Sequence, residues 1–356
     1  MATGTMTWGK LTRGLLVSLG SLAALLVLAE LLARAAEPGA MSLFDRNPYR
    51  RDALLDHAHV PGFRGRWEGT WYEINSNGWR GPELEPTFEP NEFRVVALGD
   101  SCTLGKGVRD SETWPRQLER LLQGELGPPY TVKVANLGVN GYSTHDYLHT
   151  FKRDGARLEP HLVVIGYNVN DFPNVLQRVD QAVYQNRHNL RARIPSRLRD
   201  SLGRLALFRF ARATYYELNR RRDWNNVERV ASQAVETTPR LAEAFERERQ
   251  LLQELCDAAG AAGARVAIFL FPYESMVYLE TFQPGPIERL RETASELGIT
   301  FVSLADRYRA RAREVDPPRR LFLRGDRYHP NPEGYRIVAE SVLEEIRGRG
   351  WLPTED

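Results

Sequence analysis

The chain has 356 residues, 42% of them apolar, and a formal net charge of +2 at pH 7. That length allows one large domain or two small ones with a sizeable core, and a charge so near balance excludes the strong basic field that nucleic-acid binding needs. Two cysteines, Cys102 and Cys256, exclude a disulfide framework or a cysteine-rich zinc site, and the arginines that make up all but four of the 48 basic residues are spread among acids instead of forming one surface.

The first element is apolar. Gly14 to Leu32 reads GLLVSLGSLAALLVLAELL, follows Lys10 and Arg13, and carries Glu30 as its one charge. It is close to the ~20 residues that span a bilayer. Two readings stand, an uncleaved membrane anchor and a signal peptide cut near Ala33-Arg34-Ala35. The length of the run favours the anchor, so residues 1–35 are set apart as a tail and membrane helix. Lys10 and Arg13 point to a cytoplasmic N-terminus with the remainder on the extracytoplasmic, periplasmic side. Arg34, Arg46, Arg50 and Arg51 follow the span, but large domains translocate largely regardless of such charges.

Residues 36–90 read as an irregular arm rich in Pro, Gly, Trp and Tyr. Trp67, Trp71, Tyr72 and Trp79 are too many aromatics for a disordered linker, so the arm is expected to pack on the domain that follows. Its run Asn75 to Pro82 is a turn cluster, expected to be a packed turn, with the mouth of a site as the alternative.

A regular alternation begins at Phe93. Apolar, β-type runs occur at Phe93–Leu98, Thr131–Asn136, His161–Ile165, Arg265–Phe271 and Thr300–Leu304. Helical patterns lie between them at Trp114–Leu122, Leu241–Ala262 and Ile287–Leu297, and Pro332–Arg347 closes the series. Strands alternating with helices predict one doubly wound α/β domain over about 91–350. Its sheet of about five parallel strands is covered on both faces. The interval 172–239 breaks the rhythm with a basic, helical-looking insertion that carries Leu198, Leu202, Leu205, Phe208, Tyr215 and Leu218. It is expected either to pack on the domain or to reach over the site and shape a pocket there, with a membrane-surface helix as a further reading.

Four turns at strand ends bear chemistry. Gly99-Asp100-Ser101 follows the first strand, Gly138 the second, and Asn168-Val169-Asn170-Asp171 the third. Asp326-Arg327-Tyr328-His329 lies beyond the fifth. Parallel strands place such turns on one edge of the sheet, where ligands bind. A serine hydroxyl needs a base, usually His, and that His needs a partner on its other ring nitrogen. Ser101, His329 and Asp326 fill those roles. The oxyanion formed on attack needs donors, offered by the N–H groups of Ser101 and Gly138 and by a side-chain amide from Asn170, with Asn168 as its rival. Other residues have blander readings: Cys102 as a small buried side chain, Asp171 as a turn or cap residue, His145 and His149 as surface residues, and Asn331 as a helix cap. Neither His-Glu-x-x-His, Gly-x-Ser-x-Gly nor a P-loop occurs.

In the order and spacing of Gly99-Asp100-Ser101, Gly138, Asn170-Asp171 and Asp326-x-x-His329, residues 91–345 resemble the SGNH (GDSL-type) hydrolases, a family of esterases, lipases and acyltransferases. Cys102-Thr103 stands where many members carry an apolar residue. The resemblance implies a flavodoxin-like three-layer α/β/α sandwich and a Ser101 nucleophile served by Asp326 and His329. It also implies an oxyanion hole from Ser101, Gly138 and Asn170, with no metal or other cofactor. The chain then reads as a membrane-anchored serine esterase of bacterial type acting on an ester or acylated carbohydrate. Two alternatives stand beside it: an O-acyltransferase that modifies a cell-envelope polysaccharide, and a non-catalytic envelope binding protein.

Overall fold

Leucine and alanine are strong helix formers, and no proline interrupts the leading apolar run. In a computed structural model of the chain it forms one helix of 29 residues, α1 (Trp8–Ala36). The residues described are 8–36, 47–67, 69–84, 89–168, 171, 205–208, 239–278, 285–314, 320–323, 326 and 328–353. By contacts the chain divides into two units, 1–45 with 189–223, and 46–188 with 224–356.

In the first unit, the 24 residues Thr12–Ala35 of α1 are long and apolar enough to cross a membrane, and none of their most apolar stretch is buried. The one carboxylate in that run is fully engaged. Glu30 accepts from Arg34 one turn on at 2.9 Å, and from the backbone N–H groups of Ala206 and Leu207 at 2.9 and 2.8 Å. Most of the expected insertion, with Leu198, Leu202, Tyr215 and Leu218, lies outside the described residues. Leu205 and Phe208 belong to the same unit as α1, each 40% exposed.

The second unit begins with structure that the sequence reading missed. The arm expected to be irregular forms two antiparallel hairpins, β1 (Tyr49–Asp52) with β2 (Asp56–His59) and β3 (Arg64–Trp67) with β4 (Thr70–Glu73). These strands have four residues each and carry charges, as in Tyr-Arg-Arg-Asp, so no apolar alternation announces them.

From there strands and helices alternate as expected. The series runs β5 (Glu92–Gly99), α2 (Ser101–Leu104), α3 (Trp114–Leu126), β6 (Thr131–Asn136), α4 (Thr144–Thr150), β7 (Leu162–Asn168) and α5 (Pro239–Ala261). It continues with β8 (Arg265–Phe271), α6 (Glu274–Tyr278), α7 (Gly285–Glu296), β9 (Thr300–Ser303), α8 (Ala305–Arg313) and α9 (Pro332–Gly348). Strands β5 to β9 form one parallel sheet in the order β6-β5-β7-β8-β9. That is the 2-1-3-4-5 order of flavodoxin-like folds, whose direction of winding reverses between the first and third strands. A crevice therefore opens at the carboxyl ends of β5 and β7.

The period of two along each strand divides the core. Val96 and Leu98 of β5, with Val163, Ile165 and Tyr167 of β7, face one layer that includes Tyr147 and Leu148 of α4, Leu251 and Leu255 of α5, and Leu290 of α7. Phe93, Val95 and Ala97, with Leu162 and Val164, face the other, built from Trp114 and Leu118 of α3, Tyr308 of α8, and Val338 and Val342 of α9. Burying each such side chain contributes about 1.5–3 kcal/mol, so both faces of the sheet are committed.

A carboxyl is sunk in the first layer. Glu248 of α5 is fully buried, and its Oε1 accepts from Thr144 Oγ1 at 2.6 Å and Tyr167 Oη at 3.1 Å, tying α5 to α4 and β7. Burial outweighs these bonds and pushes its pKa up to about 7. A carboxyl whose pKa is higher folded than unfolded binds its proton more tightly in the folded state. Its contribution is whole below the unfolded pKa and is lost as the pH rises through about 7, a swing on the order of 3 kcal/mol. Glu248→Gln, which keeps the acceptor and cannot ionise, should therefore raise the melting temperature by several degrees at pH 8 and leave it little changed at pH 5. Thermal melts across that range check this; equal shifts at both ends would show that the ionisation carries no weight.

Candidate active site

β5 delivers the chain to the crevice with no space to spare. A Cβ at Gly99, its last residue, would stand 2.0 Å from Thr103 Oγ1 and 2.8 Å from the Gly166 carbonyl oxygen, so only glycine lets α2 turn back over the ends of β5 and β7. Asp100 then caps α2, its Oδ1 accepting the Cys102 N–H at 2.8 Å. Ser101 becomes the first helical residue, 6% exposed. Its N–H, in the first turn, has no acceptor inside the helix.

His329 arrives from the other end of the chain on a pinched loop. The Leu323 N–H donates to the His329 carbonyl at 2.9 Å, and the Asn331 N–H to the Leu321 carbonyl at 3.0 Å. Asn331 also caps α9, accepting the Gly334 N–H at 2.9 Å. Within this loop Asp326 Oδ1 accepts the N–H groups of Tyr328 and His329 at 2.8 and 3.1 Å. Its Oδ2 stands 2.6 Å from His329 Nδ1, and His329 Nε2 stands 2.8 Å from Ser101 Oγ. The three side chains read from the sequence thus form one hydrogen-bonded chain.

The charges fix its direction. Burial opposes ionisation of Asp326, but the hydrogen bond and charge of His329 and the two backbone N–H groups outweigh it and hold the pKa down at about 2. At neutral pH Asp326 is a carboxylate and can only accept. Nδ1 therefore carries the proton, and the lone pair of Nε2 faces the Ser101 hydroxyl. A second carboxyl lies close by. Asp100 Oδ2 is 3.4 Å from Ser101 Oγ, and burial pushes its pKa up against the Cys102 N–H, His329 and Asn168. Cys102, beside the serine, accepts from Asn168 Nδ2 at 3.0 Å and donates to the Tyr328 carbonyl at 3.4 Å. Burial and the Asp100 charge raise its pKa far above the thiol range, so it stays a thiol at neutral pH.

Donors for an oxyanion are less open than the sequence suggests. A Cβ at Gly138 would lie 2.4 Å from the Leu104 nitrogen, so what its missing side chain admits is the backbone of α2. Its N–H donates to Asn136 Oδ1 at 3.1 Å. Asn170 lies outside the described residues. Its rival Asn168 is tied down: Nδ2 donates to Asp100 Oδ2 at 3.3 Å as well as to Cys102, and its N–H donates to Asp171 Oδ2 at 2.8 Å. Asp171 is fully buried and also accepts from Tyr147 Oη at 2.9 Å. His145 and His149 are half-buried and lie ring against ring on α4. Among the described residues, no group of three or more His, Cys, Asp or Glu is placed to hold a metal ion.

Three contributors escaped the sequence reading. Asp100 stood there only as part of the Gly99-Asp100-Ser101 turn, Asn136 as the end of a strand, and Arg80 within the Asn75 to Pro82 turn cluster. The hydrogen bonds of the Arg80 guanidinium run to backbone carbonyls at and beyond the end of α2, and such acceptors leave no pattern of residue types to read.

A known family accounts for the same segments. The profile of the GDSL-like lipase/acylhydrolase family matches residues 97–337. No curated protein matches the chain. Solved structures with a similar fold include TesA, at 15% identity and a TM-score of 0.43, covering 73% of this chain and 99% of that one. An acetyl xylan esterase, AlAXEase, has 14% identity and a TM-score of 0.43 over 71% and 100% of the two chains. A mutant of Axe2, an acetyl-xylooligosaccharide esterase from a Geobacillus, has 16% identity and the same TM-score over 74% and 97%. The profile match takes in the end of β5 and Ser101 at one end and the Asp326–His329 loop at the other, across two thirds of the sequence, and the chain belongs to the GDSL-like lipase/acylhydrolase family of SGNH-type ester hydrolases.

Proposed function

We propose that the chain is a serine esterase that works through an acyl-enzyme on Ser101. The observation that carries this is the Asp326–His329–Ser101 chain, with 2.6 and 2.8 Å between its members. His329 Nε2 takes the hydroxyl proton as Ser101 Oγ attacks the ester carbonyl carbon. The carbonyl oxygen becomes an anion beside the N–H of Ser101 and the turn at Gly138. Collapse of this intermediate breaks the bond to the alcohol, which leaves with the proton from His329. Water then attacks the acyl-enzyme, gives its proton to the same nitrogen, and releases the acid and the serine.

Asn170 is our choice for the third oxyanion donor. Asn168 already spends its amide on Asp100 and Cys102, whereas Asn170 immediately precedes the buried Asp171. The Gly138 N–H must turn from Asn136 Oδ1 to serve as the second. The substrate is an ester, an acylated carbohydrate being one such class. Helix α1 is the anchor in this reading, with Lys10 and Arg13 at the cytoplasmic end and the hydrolase on the extracytoplasmic side.

In detergent, the full-length Ser101→Ala and His329→Ala proteins should each lose at least ~10³-fold in kcat for p-nitrophenyl acetate with little change in melting temperature. Asp326→Asn should also be slow, through the wrong imidazole tautomer. Asn170→Ala should lose ~10²–10³-fold, whereas Asn168→Ala should chiefly lower the melting temperature. Parental turnover by Ser101→Ala would remove the assignment, and the reverse pattern for the two asparagines would exchange their roles.

Topology has its own check. The full-length chain should stay with membranes after a carbonate wash, and a reporter active only outside the cytoplasm should be active when fused after Asp356. Release by carbonate would argue for a cleaved signal, and activity from a cytoplasm-only reporter would reverse the orientation.

A further inference from the structure

The arm contributes one charged group to the interior of the hydrolase unit. Arg80 is 2% exposed. Its guanidinium donates from Nη1 to the carbonyls of Leu104 and Gly105 at 2.7 and 2.6 Å, and from Nη2 to the carbonyl of Val108 at 2.6 Å. Tyr72 of β4 lies beneath it, with the guanidinium carbon 4.3 Å from the ring centre. The accepting carbonyls sit at and just beyond the carboxyl end of α2, where helix oxygens have no intrahelical partner and a cation is favoured. α2 has four residues, and Ser101 is the first of them. A single turn does not hold itself, so what grips its far end fixes the nucleophile.

The same residue reaches the second strand end. The Arg80 N–H donates to the Asn136 carbonyl at 3.2 Å, and the Asn136 side chain receives the Gly138 N–H at 3.1 Å. Arg80 also bridges Ile74 in the arm itself. Backbone and side chain of one residue thus touch both the helix that carries Ser101 and the strand end that carries Gly138.

We infer that Arg80 is a positioning residue for ester hydrolysis, setting the height of the Ser101 hydroxyl against His329 and the Gly138 turn. It acts through backbone atoms and does not meet substrate. The inference rests on Ser101 as the nucleophile. A misplacement near 1 Å in a reacting group can cost ~10²-fold in rate, and that is the scale expected when the clamp is lost.

The test compares full-length variants in detergent, reading kcat and KM for p-nitrophenyl acetate, the rate of fluorophosphonate labelling, and the melting temperature. Arg80→Met keeps much of the bulk and removes all three bonds. It should lower kcat and the labelling rate by ~10–10²-fold while KM moves little. Arg80→Lys, with one ammonium in place of the fork, should fall between it and the parent. Added guanidinium ion at millimolar levels should restore part of the rate to Arg80→Ala. Phe63→Leu is the control. Phe63 packs in a small apolar cluster with Tyr72 and Ile74 of the arm and Leu104 of α2, and is no partner in the Arg80 hydrogen bonds. It should lower the melting temperature yet keep kcat and leave guanidinium without effect. Parental labelling and turnover in Arg80→Met, or equal losses in Phe63→Leu, would overturn the inference. Persistent labelling of Ser101→Ala would instead overturn the nucleophile assignment on which it rests.

Discussion

A one-turn helix is unstable by itself, because forming its first hydrogen bond fixes several residues at once. The hydroxyl of Ser101 depends on such a helix. Every feature around α2 answers that constraint: the Asp100 cap at its start, the arginine at its end, and close packing on its flanks, of Gly99 against the Thr103 side chain and of Gly138 against the backbone of Thr103 and Leu104. The sheet supplies the rigid edge, and the order β6-β5-β7 puts the helix over the point where the winding reverses. The chemistry needs a fixed serine, and the fold provides it by surrounding a weak element with strong ones.

Four carboxyls collect near the ends of these strands, and their surroundings divide them. Burial pushes the pKa of Asp100, Asp171 and Glu248 up, whereas Asp326 is held at about 2 because it receives two backbone N–H groups and the imidazole. All four accept hydrogen bonds, but only at Asp326 do the imidazole and the backbone N–H groups outweigh burial. Asp171 and Glu248 serve the framework instead, joining β7, α4 and α5 through tyrosine and threonine hydroxyls. Pushing the pKa values of neighbouring acids apart is how one site assigns them different work.

How much of this was legible depends on what kind of atom makes each contact. The five sheet strands were readable because a sheet covered on both faces demands continuous apolar runs, as in Arg265–Phe271. The Asp326–His329 loop was readable because its side chains bond to each other, so the residue types themselves carry the pattern. The hairpins of the arm were not, since four-residue strands such as Arg64–Trp67 have no periodicity to read. Arg80 and Asn136 were hidden for another reason. Their partners are backbone atoms, which every residue possesses. The tie of Asn168 to Asp100 and Cys102 likewise needed the register of β5 against β7, which pairs Gly99 with Gly166.

The contact between Ser101 and His329 spans 228 positions of the chain. Contacts so distant form late, after the intervening loop has been closed. During synthesis the serine emerges long before its base. An unfinished polypeptide that stops short of His329 has the serine without the imidazole that stands 2.8 Å from it in the folded chain. The order of the segments along the chain therefore lets the Ser101–His329 contact close only after synthesis has passed the whole sheet and reached the loop before α9.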